Sequence, residues 1–161
     1  MGQPGQRATP AEQGSGALSL VFRAGSLLCA LRLDEVIETL RPLAVRPLAG
    51  TPAFVRGVTI MRGVPAPVID VARLLGGEQA EVARFVAVRT ERGPVALATG
   101  AVLGIRATAA GAPSSPGTMI GGAPGGLVAG VGTLDAEPVL LLQSMRVVPD
   151  EVWAAASGGP A

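Results

Sequence analysis

Apolar and polar positions alternate through much of the chain. Leu18, Leu20 and Phe22 are spaced by two, Ala24-Gly25-Ser26 supplies a turn, and apolar residues resume from Leu27 to Leu33. Period-two spacing broken by small turn residues predicts strands rather than helices. Val36 to Leu40 continues as a third strand after Asp34-Glu35. Thr51-Pro52 predicts a short helical turn through Arg56, because threonine caps helices and proline suits the first helical position. Gly57 to Asp70 predicts a hairpin, with Val58 and Ile60 leading into a turn at Arg62-Gly63 and Val64, Ala66, Val68 and Ile69 returning. Pro65 and Pro67 predict an edge or irregular strand there, since proline has no amide to donate. Val71 to Leu75 reads as one helical turn closed by Gly76-Gly77, with Asp70 as its candidate cap.

The second half runs through the same order. Phe85 to Arg89 and Pro94 to Ala98 read as strands around a Glu91-Arg92-Gly93 turn, and Ala101 to Arg106 follows as another. A Gly-, Pro- and Ser-rich stretch from Ala110 to about Gly126 predicts a loop. Leu127 to Leu134 and Val139 to Leu142 predict a second hairpin. Pro149-Asp150-Glu151 opens a short helix through Ala156, its acids favourably placed at the positive end of the helix dipole. The halves can be overlaid. At an offset of 73, Gly57-Val58 falls on Gly130-Val131, Pro65 on Pro138, Ile69 on Leu142 and Arg73 on Arg146. At an offset of 66, Leu20 falls on Val86, Arg23 on Arg89, Leu31 on Leu97 and Val36 on Val102. Such a repeat predicts two small β-barrels related by a pseudo-two-fold axis. Each is marginal alone because small units bury too little surface, so the two are expected to share an interface.

Composition narrows the function. Net charge is +1, and all 13 basic residues are Arg. A near-neutral chain has no long-range field to steer it onto nucleic acid, and with 2% aromatic residues it has no stacking platform for single strands. Cys29 is the single cysteine, which excludes an internal disulfide, fits a reducing compartment and reads as a small buried hydrophobe. Met1 to Gly16 carries no apolar run, so it predicts a disordered tail rather than a signal peptide. Residues 157–161 predict a flexible end, and the folded domain is expected over 17–156. Ala107 to Leu134 is uncharged but too dense in Gly and Pro for a membrane-spanning helix. A cytoplasmic protein follows, with no direct membrane insertion.

Chemistry is sparse. The chain has no His, Lys or Tyr, so a Ser or Cys nucleophile would lack its usual base. One cysteine cannot build a zinc site. The clusters Asp34-Glu35-Glu38 and Asp135-Glu137 lack calcium-loop spacing. Gly121-Gly122-Ala123-Pro124-Gly125-Gly126 has the glycine density of a phosphate loop, without the Lys and Ser/Thr that contact phosphate and magnesium. No catalytic residue, cofactor or metal is expected. An interaction module is the leading reading. A hydrolase using carboxylates alone and a small ligand-binding β-barrel are the alternatives.

Thr51-Pro52-Ala53-Phe54-Val55-Arg56-Gly57-Val58, followed by Arg62-Gly63-Val64-Pro65-Ala66-Pro67-Val68-Ile69-Asp70, resembles the signature of the CheW-like family. Leu20-Val21-Phe22 and Asp34-Glu35-Val36-Ile37-Glu38 look like that family's first lobe. Gly130-Val131, Leu134-Asp135 and the Val139 to Leu142 strand look like its closing hairpin. The resemblance runs from about Ala17 to Ala156. It implies an all-β fold of two intertwined SH3-like five-stranded barrel lobes, with short helices and a short C-terminal helix. Gly57, Gly63 and Asp70 are its structural motif residues. It also implies a non-enzymatic adaptor of bacterial chemotaxis, linking chemoreceptor cytoplasmic tips to the regulatory domain of a CheA-type histidine kinase and recruited to receptor arrays at the membrane. Glu38 and Arg62 are expected to pair beside the receptor-facing surface, with Val36, Glu38, Arg62, Val102 and Ile105 forming a receptor groove. The chain departs from the pattern at Ile60, where the motif has Asn, at Met61 for Leu, and at Gly100 and Gln143, where Asp is usual. A variant that binds receptors but not the kinase is the accompanying alternative.

Overall fold

The computed structural model describes residues 18–108, 127–143 and 148–158. In chain order its strands are β1 (Leu18–Ala24), β2 (Leu27–Arg32), β3 (Val36–Leu40), β4 (Val55–Met61), β5 (Val64–Asp70), β6 (Arg84–Thr90), β7 (Gly93–Thr99), β8 (Val102–Ala107), β9 (Val128–Leu134) and β10 (Glu137–Leu142). A 3-10 turn at Leu33–Glu35 precedes β3, one helical turn α1 (Val71–Leu74) follows β5, and helix α2 (Asp150–Gly158) closes the chain. The strands form two five-stranded sheets, ordered β8-β1-β2-β10-β9 (lobe I) and β3-β6-β7-β5-β4 (lobe II).

The repeat read from the sequence is the plan of the fold. Adding 66 to the bounds of β1 gives those of β6, and adding 73 to those of β4 gives those of β9. The pairing registers repeat as well. Leu141 lies opposite Ala30 and Leu142 opposite Leu31 in the parallel pair β10–β2, and their counterparts Val68–Ala96 and Ile69–Leu97 meet in the parallel pair β5–β7. Each repeat gives its first hairpin to one sheet and its last three strands to the other, which is what intertwines the lobes. Four residues of the second repeat, 144–147, lie outside the described residues, and so do the tail expected over Met1 to Gly16 and most of the loop expected over Ala110 to Gly126.

Both faces of most inner strands are buried. One face of each sheet contributes to a common core, with Leu20, Phe22, Leu31 and Leu142 from lobe I meeting Ile69, Val86, Val88 and Leu97 from lobe II. Opposite faces enclose smaller clusters inside each lobe: Val21, Leu28, Ala30 and Val139 in lobe I, and Met61, Ala66, Val68, Phe85 and alanines in lobe II. α2 packs against β5. Its Trp153 is buried beside Gly93, and Arg92 both lies over the indole ring, 5.8 Å from its centre, and pairs with Asp150.

Three local expectations are corrected. Thr51 does not cap a helix. Its hydroxyl donates back to the Leu48 carbonyl at 3.1 Å, only a turn follows, and strand β4 already begins at Val55. β5 is an interior strand despite Pro65 and Pro67, because its parallel pairing with β7 begins only at Val68, past both prolines. α2 runs to Gly158, two residues beyond the expected end, a difference within the fraying of helix termini.

Gly57 is required for a specific close approach. Arg46 and Val58 exchange backbone hydrogen bonds of 2.8 and 2.9 Å, laying the segment before β4 along that strand's outer edge. Gly57 has φ 140, and a Cβ there would lie 2.0 Å from the Arg46 carbonyl oxygen. Gly63 also has positive φ, but a Cβ there meets nothing within 4 Å. Gly57→Ala should therefore destabilise the protein by at least about 2 kcal/mol, the range of steric and backbone strain, whereas Gly63→Ala should cost about 1 kcal/mol for the left-handed conformation alone. Urea unfolding of both variants checks this; equal losses would show that the contact with Arg46 does not matter.

Candidate protein-interaction site

The two-residue turn between β4 and β5 is formed by Arg62 (φ 50) and Gly63 (φ 81), with Met61 opposite Val64. Two successive left-handed residues suit the twist of a tight hairpin. Arg62 donates from Nε and Nη2 to Glu38 Oε2 and Oε1, each at 2.6 Å. This is the bidentate fork that matches guanidinium to carboxylate. Glu38 follows a register shift in β3: Val36 faces Val88 and Glu38 faces Ala87, leaving Ile37 as the extra residue of a bulge. β3 and β4 are the two edges of the lobe II sheet, so the pair ties one edge to the hairpin beside the other and closes the sheet into a barrel. Its hydrogen bond to Arg62 holds the Glu38 carboxyl below its ordinary range, and the same bond raises Arg62.

Lobe I has the same device with the charges reversed. Its hairpin turn is Asp135 (φ 50) and Ala136 (φ 66), and Asp135 lies 73 positions after Arg62. Arg106, on the edge strand β8, stands 3.6 Å from the Asp135 carboxylate. A bidentate pair from Arg23 on β1 to Glu137 at the start of β10, at 2.6 and 3.1 Å, adds to it. The offset of 73 places Asp135 on Arg62, but the offset of 66 puts Gly104 on Glu38, so the overlay names one partner of this pair and not the other.

Of the residues expected in the receptor groove, Glu38 and Arg62 meet directly. Val36 and Val102, equivalent in the repeat, both pack against the core shared by the lobes. Ile105 belongs to lobe I, opposite Leu20 on β8, and is 53% exposed. Exposed apolar residues that sequence reasoning missed stand on the edge strands of both sheets: Ile37 on β3, Ile60 on β4, Leu103 on β8 and Val131 on β9. Ile60 borders an apolar groove of about 640 Å³ between the Ala44–Leu48 segment and Ala155-Ala156 of α2. The alternation within β4, which buries Thr59 and Met61, already points Ile60 outward. Gly100 also has a steric reason: a Cβ there would come within 3.2 Å of the Arg23 carbonyl oxygen, to which the Gly100 amide donates at 2.8 Å.

Among the described residues no group of three or more His, Cys, Asp or Glu is placed to hold a metal. Cys29 is fully buried, and burial pushes its thiol up to about 12, so it is a protonated core residue and not a nucleophile. No helix among the described residues is long and apolar enough to cross a membrane.

The exchanged sheets and closing hairpins are those of known proteins. Residues 19–152 match the family model described as CheW-like domain. The chain belongs to the CheW-like domain family. The crystal structure of scaffolding protein TtCheW from Thermoanaerobacter tengcongensis superposes with a TM-score of 0.68 at 21% identity, over 80% of this chain and 89% of that one, and so shares the fold of this CheW-like domain. Protein FrzA of Myxococcus xanthus is 39% identical over 61 residues, a stretch spanning 38% of this chain and 38% of FrzA. The family is one of chemotaxis coupling and scaffold proteins, and its fold accounts for the two five-stranded sheets.

The pH response of the Glu38–Arg62 pair follows from its direction. A carboxyl held below its ordinary value binds fewer protons in the folded than in the unfolded state. The stability it contributes is complete above the ordinary value of 4.5 and is lost as pH falls through the lower folded value. Wild type should therefore exceed Glu38→Gln in stability near neutral pH, with the difference shrinking below about pH 4.5. Thermal melts of both proteins across that range check it; a difference that stays constant would mean that the pair carries no linked stability.

Proposed function

We propose that this CheW-like protein is a chemosensory adaptor that couples methyl-accepting chemoreceptors to a CheA-type histidine kinase, acting by binding and not by catalysis. The observation that carries this reading is the family match over residues 19–152, on a domain whose edge strands expose Ile37, Ile60, Leu103, Ile105 and Val131. Apolar residues on sheet edges are suited to docking against other chains. The lack of His and Lys and the sealed Cys29 support a protein without reaction chemistry of its own.

The proposed receptor-facing surface comprises Val36, Glu38, Arg62, Val102 and Ile105. Glu38 holds the Arg62 guanidinium in a fixed orientation at the hairpin tip, where it remains 76% exposed, able to meet carboxylates or helix C-termini of a receptor tip. Ile105 supplies apolar surface on β8, and Val36 and Val102 anchor β3 and β8 to the shared core. The kinase regulatory domain would bind elsewhere, at the exposed ends of the barrels. A variant adaptor that binds receptors without the kinase is the second reading. It is favoured by Ile60, which replaces the motif Asn and is 58% exposed on the outer edge of lobe II.

Interface anchors of this kind each cost ~2 kcal/mol or more on truncation. Arg62→Ala and Ile105→Asp should thus weaken binding of a receptor cytoplasmic fragment at least about tenfold and leave binding of the kinase regulatory domain in place. Calorimetric titration of each variant against both partners, with circular dichroism as the folding control, checks this. Unchanged receptor affinity in folded variants removes the surface assignment. Absence of kinase binding by wild type, with receptor binding intact, selects the second reading. Binding of neither partner refutes the adaptor.

A further inference from the structure

A second polar site lies in lobe II, on β4, β5 and α1 and apart from the Glu38–Arg62 pair. Val55 pairs with Ile69 and Gly57 with Val68, so Arg56 between them is the extra residue of a bulge. Bulges re-aim the side chain they insert, and Arg56 Nη1 reaches Asp70 Oδ2 at 2.9 Å. The Asp70 side chain is 5% exposed, and its other oxygen accepts from the Arg73 amide at 3.2 Å, capping α1. Both carboxylate oxygens are thereby engaged. The guanidinium of Arg73 has no ion-pair partner among the described residues, and Arg73 lines a pocket of about 200 Å³ with Ala53, Arg56, Asp70 and Gln79.

The other lobe serves as an internal control. There the Gln143 amide donates to the Leu127 carbonyl at 2.9 Å, as Asp70 donates to Phe54 at 2.7 Å in lobe II. The offset of 73 puts Ala129 on Arg56, Gln143 on Asp70 and Arg146 on Arg73, the last of these outside the described residues. That backbone hydrogen bond therefore forms without the Arg56–Asp70 pair, so the hydrogen bond itself does not require the pair. Two arginines against one aspartate leave the pocket one positive charge (2 − 1 = 1). A singly charged anion balances that. A phosphate dianion would exceed it and face the Asp70 carboxylate besides. Planar guanidinium donors suit a carboxylate. Gln79 also lines an adjoining depression of about 430 Å³ beside the β1–β2 turn, which leaves room for the backbone of a chain carrying that carboxylate.

We propose that the Arg56–Arg73 pocket binds the carboxylate of an acidic side chain on a partner polypeptide. The site does not depend on the adaptor reading. Its test uses the full chain with arginine side-chain NH resonances observed by NMR. The probes are acetyl-Ala-Glu-Ala-amide, the matching Gln peptide, succinate and inorganic phosphate. The Glu peptide should shift the Arg56 and Arg73 resonances saturably, in the millimolar range, and the Gln peptide should not. Arg73→Gln keeps the backbone amide that caps α1. It should weaken the Glu peptide at least about fivefold without changing the melting temperature. Equal responses to the Glu and Gln peptides, or unchanged affinity in Arg73→Gln, would overturn the site. Tighter binding of phosphate would overturn the carboxylate assignment, and tighter binding of succinate than of the Glu peptide would overturn the polypeptide source.

Discussion

Neither repeat of this chain completes a sheet by itself: the first two strands of each pair with the last three of the other. The parallel contacts β2–β10 and β5–β7 and the antiparallel contacts β1–β8 and β3–β6 are the four seams of that exchange. Units of this size bury too little surface to stand alone. The exchange answers that by giving both sheets one core, in which Phe22 and Leu31 of one repeat pack with Val86 and Leu97 of the other. The inner strands must then be apolar on both faces, which is why β1 and β6 each carry four consecutive buried residues.

Closure of the barrels is a separate matter, left to the edges. Each sheet ends in strands whose outer backbone groups need cover. β4 is covered at Val58 by the bridge to Arg46, and both lobes are tied across their mouths by an arginine and a carboxylate. The lobes are alike in backbone but not in charge. Lobe II presents a cation at its hairpin tip, lobe I an anion. A pseudo-symmetric molecule thus offers two unlike surfaces.

The strand plan was legible in the sequence because the repeat is carried by buried positions. Leu20, Leu31, Val86 and Leu97 keep their spacing whatever the surface does. The errors arose where one local rule met a competing contact. Proline at 65 and 67 suggested an edge or irregular strand; β5 is interior, and its parallel neighbour pairs only beyond them. Threonine at 51 suggested a cap, but its hydroxyl found the Leu48 carbonyl behind it. The Glu38–Arg62 pair was anticipated from the family resemblance. The Arg23–Glu137 pair, 114 positions apart, was not, since nothing in either residue's neighbourhood names the other. Likewise, the Arg56–Asp70–Arg73 cluster depends on a bulge of one residue, which no periodicity reports.

The order in which the strands leave the ribosome differs between the lobes. Lobe II uses β3 to β7, an unbroken run from Val36 to Thr99, and has all its strands as soon as that segment is synthesised. Lobe I brackets it, and Cys29 on β2 waits for Leu140 on β10, 111 positions later (140 − 29 = 111). Contacts so distant in sequence form slowly. Until they form, the first hairpin has an open edge where β10 will lie, and the Cys29 thiol, sealed in the finished protein, is reachable by solvent and oxidants. The first hairpin therefore stays open to oxidation until β10 has been made.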